Sequence, residues 1–192
     1  MPYPAFPFKH NGAFGPAHTR AYFRSAPPGP IVRAMQLKVG DQAPEFEVTA
    51  RQAGQDRPLS LRGILAEKNL VLYFYPRDFT AGCTREACGF RDNYRELVAG
   101  DTEVVGVSVD DAESHDRFAR EHGLSFPLVS DPRRQLAKLY GATSTLREVL
   151  GVTARLTFVI DRNRKIVAIF DSAVRMSQHV DGARDAIRKL RS

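Results

Sequence analysis

Residues Leu70–Tyr75 (LVLYFY) form an apolar run closed off by Glu67 and Lys68 on one side and Pro76 on the other. Such a run is far shorter than the roughly 18 residues of a membrane-spanning helix. It also lacks the alternation of a half-exposed strand. It therefore predicts a strand buried on both faces, which in turn demands covering layers above and below it. Glu103–Val109 (EVVGVSV), Leu156–Ile160 (LTFVI) and Ile166–Phe170 (IVAIF) read the same way. The last two are joined by DRNRK, a polar link suited to a hairpin. Between these strands, Ala112–His122, Arg133–Tyr140 and Ser177–Leu190 have helical spacing, with Gly123 and Gly141 where C-caps belong. Strands alternating with helices, followed by a hairpin and a terminal helix, predict an α/β sandwich with a central mixed sheet flanked by helices.

The 192 residues suffice for one well-buried domain, read here as residues 35–192, with residues 1–34 as a leader. The net charge of +6 is unevenly placed. The leader holds Lys9, Arg20, Arg24 and Arg33 and no acid, so the body keeps 24 basic against 22 acidic residues. No basic groove with interleaved aromatics is visible there and no apolar run approaches the roughly 18 residues of a membrane span, so neither a nucleic-acid partner nor a membrane partner is expected. The leader is rich in Pro, Phe, Gly and Arg, has no periodicity and reads as disordered. A single serine (Ser25) and the lack of an amphipathic stripe fit a transit peptide poorly. An over-long gene start ahead of Met35 is preferred to a targeting segment, and a cytoplasmic location is expected.

Two cysteines, Cys83 and Cys88, are the whole complement. Two are too few for a disulfide scaffold, and no further Cys or His stands near them to complete a metal site. Redox chemistry remains, with inert core thiols as the plain alternative. Both cysteines lie in Pro76-Arg-Asp-Phe-Thr80-Ala-Gly82-Cys83-Thr-Arg-Glu86-Ala-Cys88, which follows the buried strand and opens a helix. Open α/β sheets place their sites there. Cys83, Ala87, Phe90, Tyr94 and Leu97 share one helical stripe, so the sulfur should be sheltered. The first turn of a helix offers unpaired N–H groups and the positive end of the dipole, both favourable to an anion. Thr80 can place a hydroxyl near the sulfur, and Gly82 permits close approach. Cys88 falls about 140° round the helix from Cys83, with Cα atoms roughly 8–9 Å apart on standard geometry. A disulfide reaches at most about 7 Å, so a bridge between them would require the helix to unwind. The five histidines offer no evident base; His115, His122 and His179 read as residues of exposed helices.

Pro76, Thr80 and Cys83 together resemble the P-x-x-x-[TS]-x-x-C motif of the peroxiredoxins. The C-x-x-x-x-C pair is similar to the bacterioferritin comigratory protein, or peroxiredoxin Q, branch. The likeness extends over residues 36–190, including GDQAPEFEV, SDPRRQLAKLYG and RLTFVID. It implies a thioredoxin-like fold and a peroxidase without metal or organic cofactor. It implies Cys83 as the peroxidatic cysteine, Cys88 as the resolving one, and Arg155 as the arginine that holds the thiolate. Glu86 resembles a family glutamate of the cysteine helix, with a solvated helix charge as the alternative. The implied partners are a hydroperoxide and thioredoxin or a similar dithiol, in a monomer or noncovalent homodimer. Ala81 departs from the proline usual in this branch, and Thr143–Ala154 departs from its Gly-rich aromatic loop. A thioredoxin-type oxidoreductase would use the tighter C-x-x-C spacing. A redox-sensing or holdase role on the same fold, and a Cys–His hydrolase, are the remaining alternatives.

Overall fold

The computed structural model describes residues 37–143, 153–172 and 175–191. The expected leader and most of the Thr143–Ala154 stretch lie outside the described residues. Seven strands form one sheet: β1 (Glu47–Gln52), β2 (Gln55–Ser60), β3 (Asn69–Phe74), β4 (Thr102–Ser108), β5 (Leu128–Ser130), β6 (Leu156–Ile160) and β7 (Ile166–Asp171). Their order is β2-β1-β5-β4-β3-β6-β7. The trio β3, β4 and β5 is parallel and the outer pairings are antiparallel, so the sheet is mixed as expected.

The apolar run of β3 is interior, and its side chains divide between two cores. Leu70, Leu72 and Phe74 face one side with Phe158 and Tyr140; Val71, Tyr73 and Tyr75 face the other with Phe90 and Phe118. Successive strand residues point to opposite faces, so a run without polar positions needs both faces covered. Helices α1 (Leu61–Leu65) and α5 (Gln135–Leu139) serve the first core. Helices α2 (Ala81–Asp92), α3 (Tyr94–Ala99), α4 (Ala112–His122) and α6 (Met176–Leu190) serve the second. Cys83 and Ala87 are members of that second core.

The structure differs from the sequence expectations at two of the helices. The stripe from Cys83 to Leu97 belongs to two helices, because Asn93 interrupts it. Its side-chain amide donates to the Gly89 carbonyl at 2.8 Å, and its backbone adopts φ −97°, ψ 2°. Short polar side chains compete for backbone groups in this way and end helices. The β1–β2 hairpin carries no Asn-Gly or Asp-Gly signal, because its turn is Ala53-Gly54, both at positive φ. Helix α5 is shorter than Arg133–Tyr140, since Arg134 sits in the left-handed region at φ 54°. The caps at Gly123 and Gly141 hold, with φ of 64° and 68°.

Candidate active site

The register of β3 against β6 decides which residues meet. Phe74 pairs with Leu156, so Arg155 stands beside Tyr75 at the end of β3, where the chain turns into the loop before α2. That loop is pinned by Asp78. Its carboxylate accepts from the Tyr75 hydroxyl at 2.7 Å and from Ser114 Oγ at 2.8 Å, and lies 2.9 Å from His115 Nδ1. Its backbone N–H donates to Asp110 at 2.8 Å. Burial works against the Asp78 charge, but the hydrogen bonds from His115, Tyr75 and Ser114 outweigh it and hold the carboxyl below its ordinary value. Phe79 follows at φ 59°, unusual for a residue with a side chain, and is 44% exposed while its ring meets Phe118 edge-on.

Helix α2 then starts at Ala81 with Thr80 as N-cap. Thr80 is exposed, and its hydroxyl donates to the Arg77 carbonyl at 3.2 Å, leaving its lone pairs open. Cys83 lies in the first turn and is 1% exposed. The Arg155 guanidinium donates through Nη2 to its sulfur at 3.3 Å. A Cβ on Gly82 would stand 3.1 Å from that same Nη2, so glycine keeps the approach open. Arg155 Nη1 makes a short ion pair with Glu86 Oε2. Burial opposes the guanidinium charge, yet Glu86 and Cys83 beside it raise its pKa further, so Arg155 is a fixed cation. Pro76 is half-buried at the entrance to the loop.

Glu86 is fully buried, one turn along α2. Of the two readings of this residue, the solvated helix charge is excluded. Burial pushes its carboxyl up to about 7, against the pull of Arg155. A carboxyl whose pKa is raised on folding binds more protons in the folded than in the unfolded chain between the two values. The stability that this group contributes therefore declines as pH rises from 4.5 to about 7 and levels off above. The shift corresponds to about 3 kcal/mol from this group. Urea unfolding across that range should show the slope, and Glu86→Gln should flatten it. A slope unchanged in the variant would assign the titration elsewhere.

Two of the histidines lie elsewhere than on exposed helix faces. His115 and His179 are both fully buried. His115 serves the Asp78 anchor, and His179 lies 3.5 Å from Glu86 Oε1. A signal for His179 exists in the sequence: Met176, His179, Val180, Ala183 and Ile187 are the buried residues of α6 and follow helical spacing. The Asp78–His115 pair, 37 positions apart, has no such signal.

Cys88 lies further along α2, partly exposed, and both thiols are free. Both the sheltered sulfur of Cys83 and the arginine that holds it lie within the stretch matched in known proteins. A model of the AhpC/TSA family matches residues 39–169. The chain belongs to the peroxiredoxin family. Chloroplastic peroxiredoxin Q of Sedum lineare is 35% identical over 152 residues, spanning 79% of this peroxiredoxin and 78% of its own length. The crystal structure of peroxidoxin BcpB from Mycobacterium tuberculosis aligns with a TM-score of 0.73 at 36% identity, over 81% of this chain and 99% of that one. The bacterioferritin comigratory protein of Xanthomonas campestris, described for its alkyl peroxide reduction activity, aligns with a TM-score of 0.67 at 28% identity, over 76% and 92%. This peroxiredoxin is accordingly a thiol peroxidase with the thioredoxin-like fold of its relatives. Among its described residues, no helix is long and apolar enough to cross a membrane.

Proposed function

We propose that this peroxiredoxin reduces hydrogen peroxide and organic hydroperoxides through Cys83, with Cys88 resolving the product and thioredoxin or a similar dithiol restoring both thiols. The observation that carries the reading is the Arg155 guanidinium 3.3 Å from a buried Cys83 sulfur in the first turn of α2. A thiolate is the nucleophile, and a fixed cation together with the helix N-terminus favours that form. The sulfur attacks the terminal peroxide oxygen, a sulfur–oxygen bond forms, and the oxygen–oxygen bond breaks. The departing alkoxide or hydroxide takes a proton and leaves as alcohol or water. Thr80, whose own proton is committed to Arg77, has lone pairs with which to accept the peroxide O–H. The alkyl peroxide activity of the Xanthomonas campestris relative supports organic hydroperoxides among the substrates.

The Cys83 sulfenic acid then condenses with the Cys88 thiol, releasing water and forming a disulfide. Both residues belong to α2, so its first turns must unwind for the sulfurs to meet. A dithiol reductant attacks that disulfide and leaves two thiols and its own disulfide. The absence of other cysteines in the 192 residues favours a cycle within one chain, in a monomer or a noncovalent homodimer.

The test is peroxide-dependent NADPH consumption by the full chain with thioredoxin and thioredoxin reductase. Turnover supports the cycle, and none with several dithiol donors would overturn it. Cys88→Ser should allow a single attack and no turnover. Intact mass after one equivalent of peroxide should then show one added oxygen on the variant, against a loss of two hydrogens in the unaltered protein. Sustained turnover in Cys88→Ser would remove Cys88 from the cycle.

A further inference from the structure

Behind Arg155 lies a histidine that the cycle above does not use. His179 Nε2 stands 3.0 Å from the Ser172 carbonyl oxygen. A carbonyl only accepts, so this nitrogen carries the hydrogen. Burial, with Arg155 nearby, lowers the His179 pKa below its ordinary value and favours the neutral ring. Nδ1 then offers a single lone pair, and the Thr157 hydroxyl, 2.8 Å away, is able to donate to it or to accept from it. The same Nδ1 faces Glu86 Oε1 at 3.5 Å. That oxygen is buried and has no hydrogen-bond partner among the described residues, while Oε2 is taken by Arg155. An ionised Glu86 would set a negative oxygen against a lone pair. The contact is satisfied when one proton lies in it, on Oε1 or on Nδ1.

We propose that His179 is a positioning residue which, by sharing one proton with Glu86, sets how much of the Arg155 charge is left for the Cys83 sulfur. With the proton on Oε1, Glu86 is neutral and the guanidinium acts on the sulfur undivided. Without it, Glu86 competes with the sulfur for the same cation. The other titratable groups around the pair are Tyr73 on β3 and Asp171 at the end of β7. Tyr73 is buried and neutral, and Asp171 acts on His179 from the side of Ser172. Neither stands between Glu86 and Arg155 in the chain of contacts from Ser172 to Cys83.

The inference rests on the roles proposed for Cys83 and Arg155, and its test does not depend on turnover. Ultraviolet thiolate absorbance against pH, in a Cys88→Ser background, reads the Cys83 charge directly. In that protein the Cys83 curve should be broadened by coupling to a second group that titrates near neutral pH. In His179→Asn the side-chain amide can donate to Oε1 at every pH, so Glu86 ionises earlier and holds Arg155 more firmly. The Cys83 curve should then narrow to one step and move to higher pH by about half a unit or more. Adding Glu86→Gln should cancel the difference between the His179→Asn variant and its parent, since the two positions act through one carboxyl. Superimposable curves for His179→Asn and its parent would overturn the proposal. So would a shift that persists in the presence of Glu86→Gln. If His179→Asn fails to fold, His179→Gln is read for a shift of either sign, because its amide can reach the Ser172 carbonyl but leaves nothing at the Nδ1 position facing Glu86. A curve superimposable on the parent's would overturn the proposal. Loss of peroxide turnover with these curves intact would instead count against the proposed function.

Discussion

Cys83→Ser should abolish peroxide consumption, with a fall on the order of 10⁴-fold or more, as for loss of a catalytic nucleophile elsewhere. The hydroxyl that replaces the sulfur is a weak nucleophile at neutral pH. Position alone cannot rescue the reaction, because the chemistry requires an atom that can bond to oxygen and later lose it as water when a thiol attacks. The substitution is a fair test of chemistry, since serine is close to cysteine in shape. Its oxygen can accept the Arg155 Nη2 hydrogen bond that the sulfur now accepts. The urea midpoint should therefore move little, by about 1 kcal/mol in unfolding free energy. Coupled NADPH consumption and intact mass after peroxide are the measurements. Appreciable turnover in Cys83→Ser would remove Cys83 as the reacting atom.

Arg155→Lys is expected to lower the rate constant for peroxide attack by about 10²–10³-fold, the range found when one preorganised donor to a reacting centre is lost. The guanidinium binds two partners with one rigid fork, Nη2 on the Cys83 sulfur and Nη1 on Glu86. An ammonium is a point charge and cannot keep both distances. Arg155 is buried, so solvent does not screen the interaction or supply a replacement. Stability should suffer less than activity. Glu86 already sits near the balance between acid and carboxylate, and losing a well-placed cation drives it to the neutral acid. Single-turnover kinetics of Cys83 oxidation, followed alongside urea unfolding, separates the two effects. Equal losses in rate for Arg155→Lys and for a surface arginine such as Arg133 would show that Arg155 contributes only general charge.

How much of this can be read from residue order alone depends on the kind of contact involved. The buried strand β3, helix α4 with its αL cap, the β6–β7 hairpin and the sheltered position of Cys83 all follow from local periodicity and turn chemistry. Arg155 is visible only through its resemblance to a family position, because the contact with Cys83 is made across 72 residues by strand register. The Asp78–His115 anchor is not legible, as each residue is an ordinary polar one until the loop and α4 are brought together. His179 is misleading for a different reason. Its polarity suggests surface, while its place on the apolar stripe of α6 points inward, and the stripe is the better guide. The break at Asn93 shows the limit of periodicity, which continues smoothly through a residue whose side chain ends the helix.

The membership of Cys83 and Ala87 in the hydrophobic core has a consequence for how the molecule is seen by its surroundings. If α2 unwinds to join Cys83 to Cys88, it draws part of that core outward, while Asp78 keeps the preceding loop fastened to α4. The oxidised molecule would then carry a greasy opening bounded by a fixed rim, and the reduced one a closed wall. Redox state would thus be written in stickiness as well as in sulfur. A dye that glows on apolar surfaces should brighten when peroxide is added and fade again as the dithiol restores the helix.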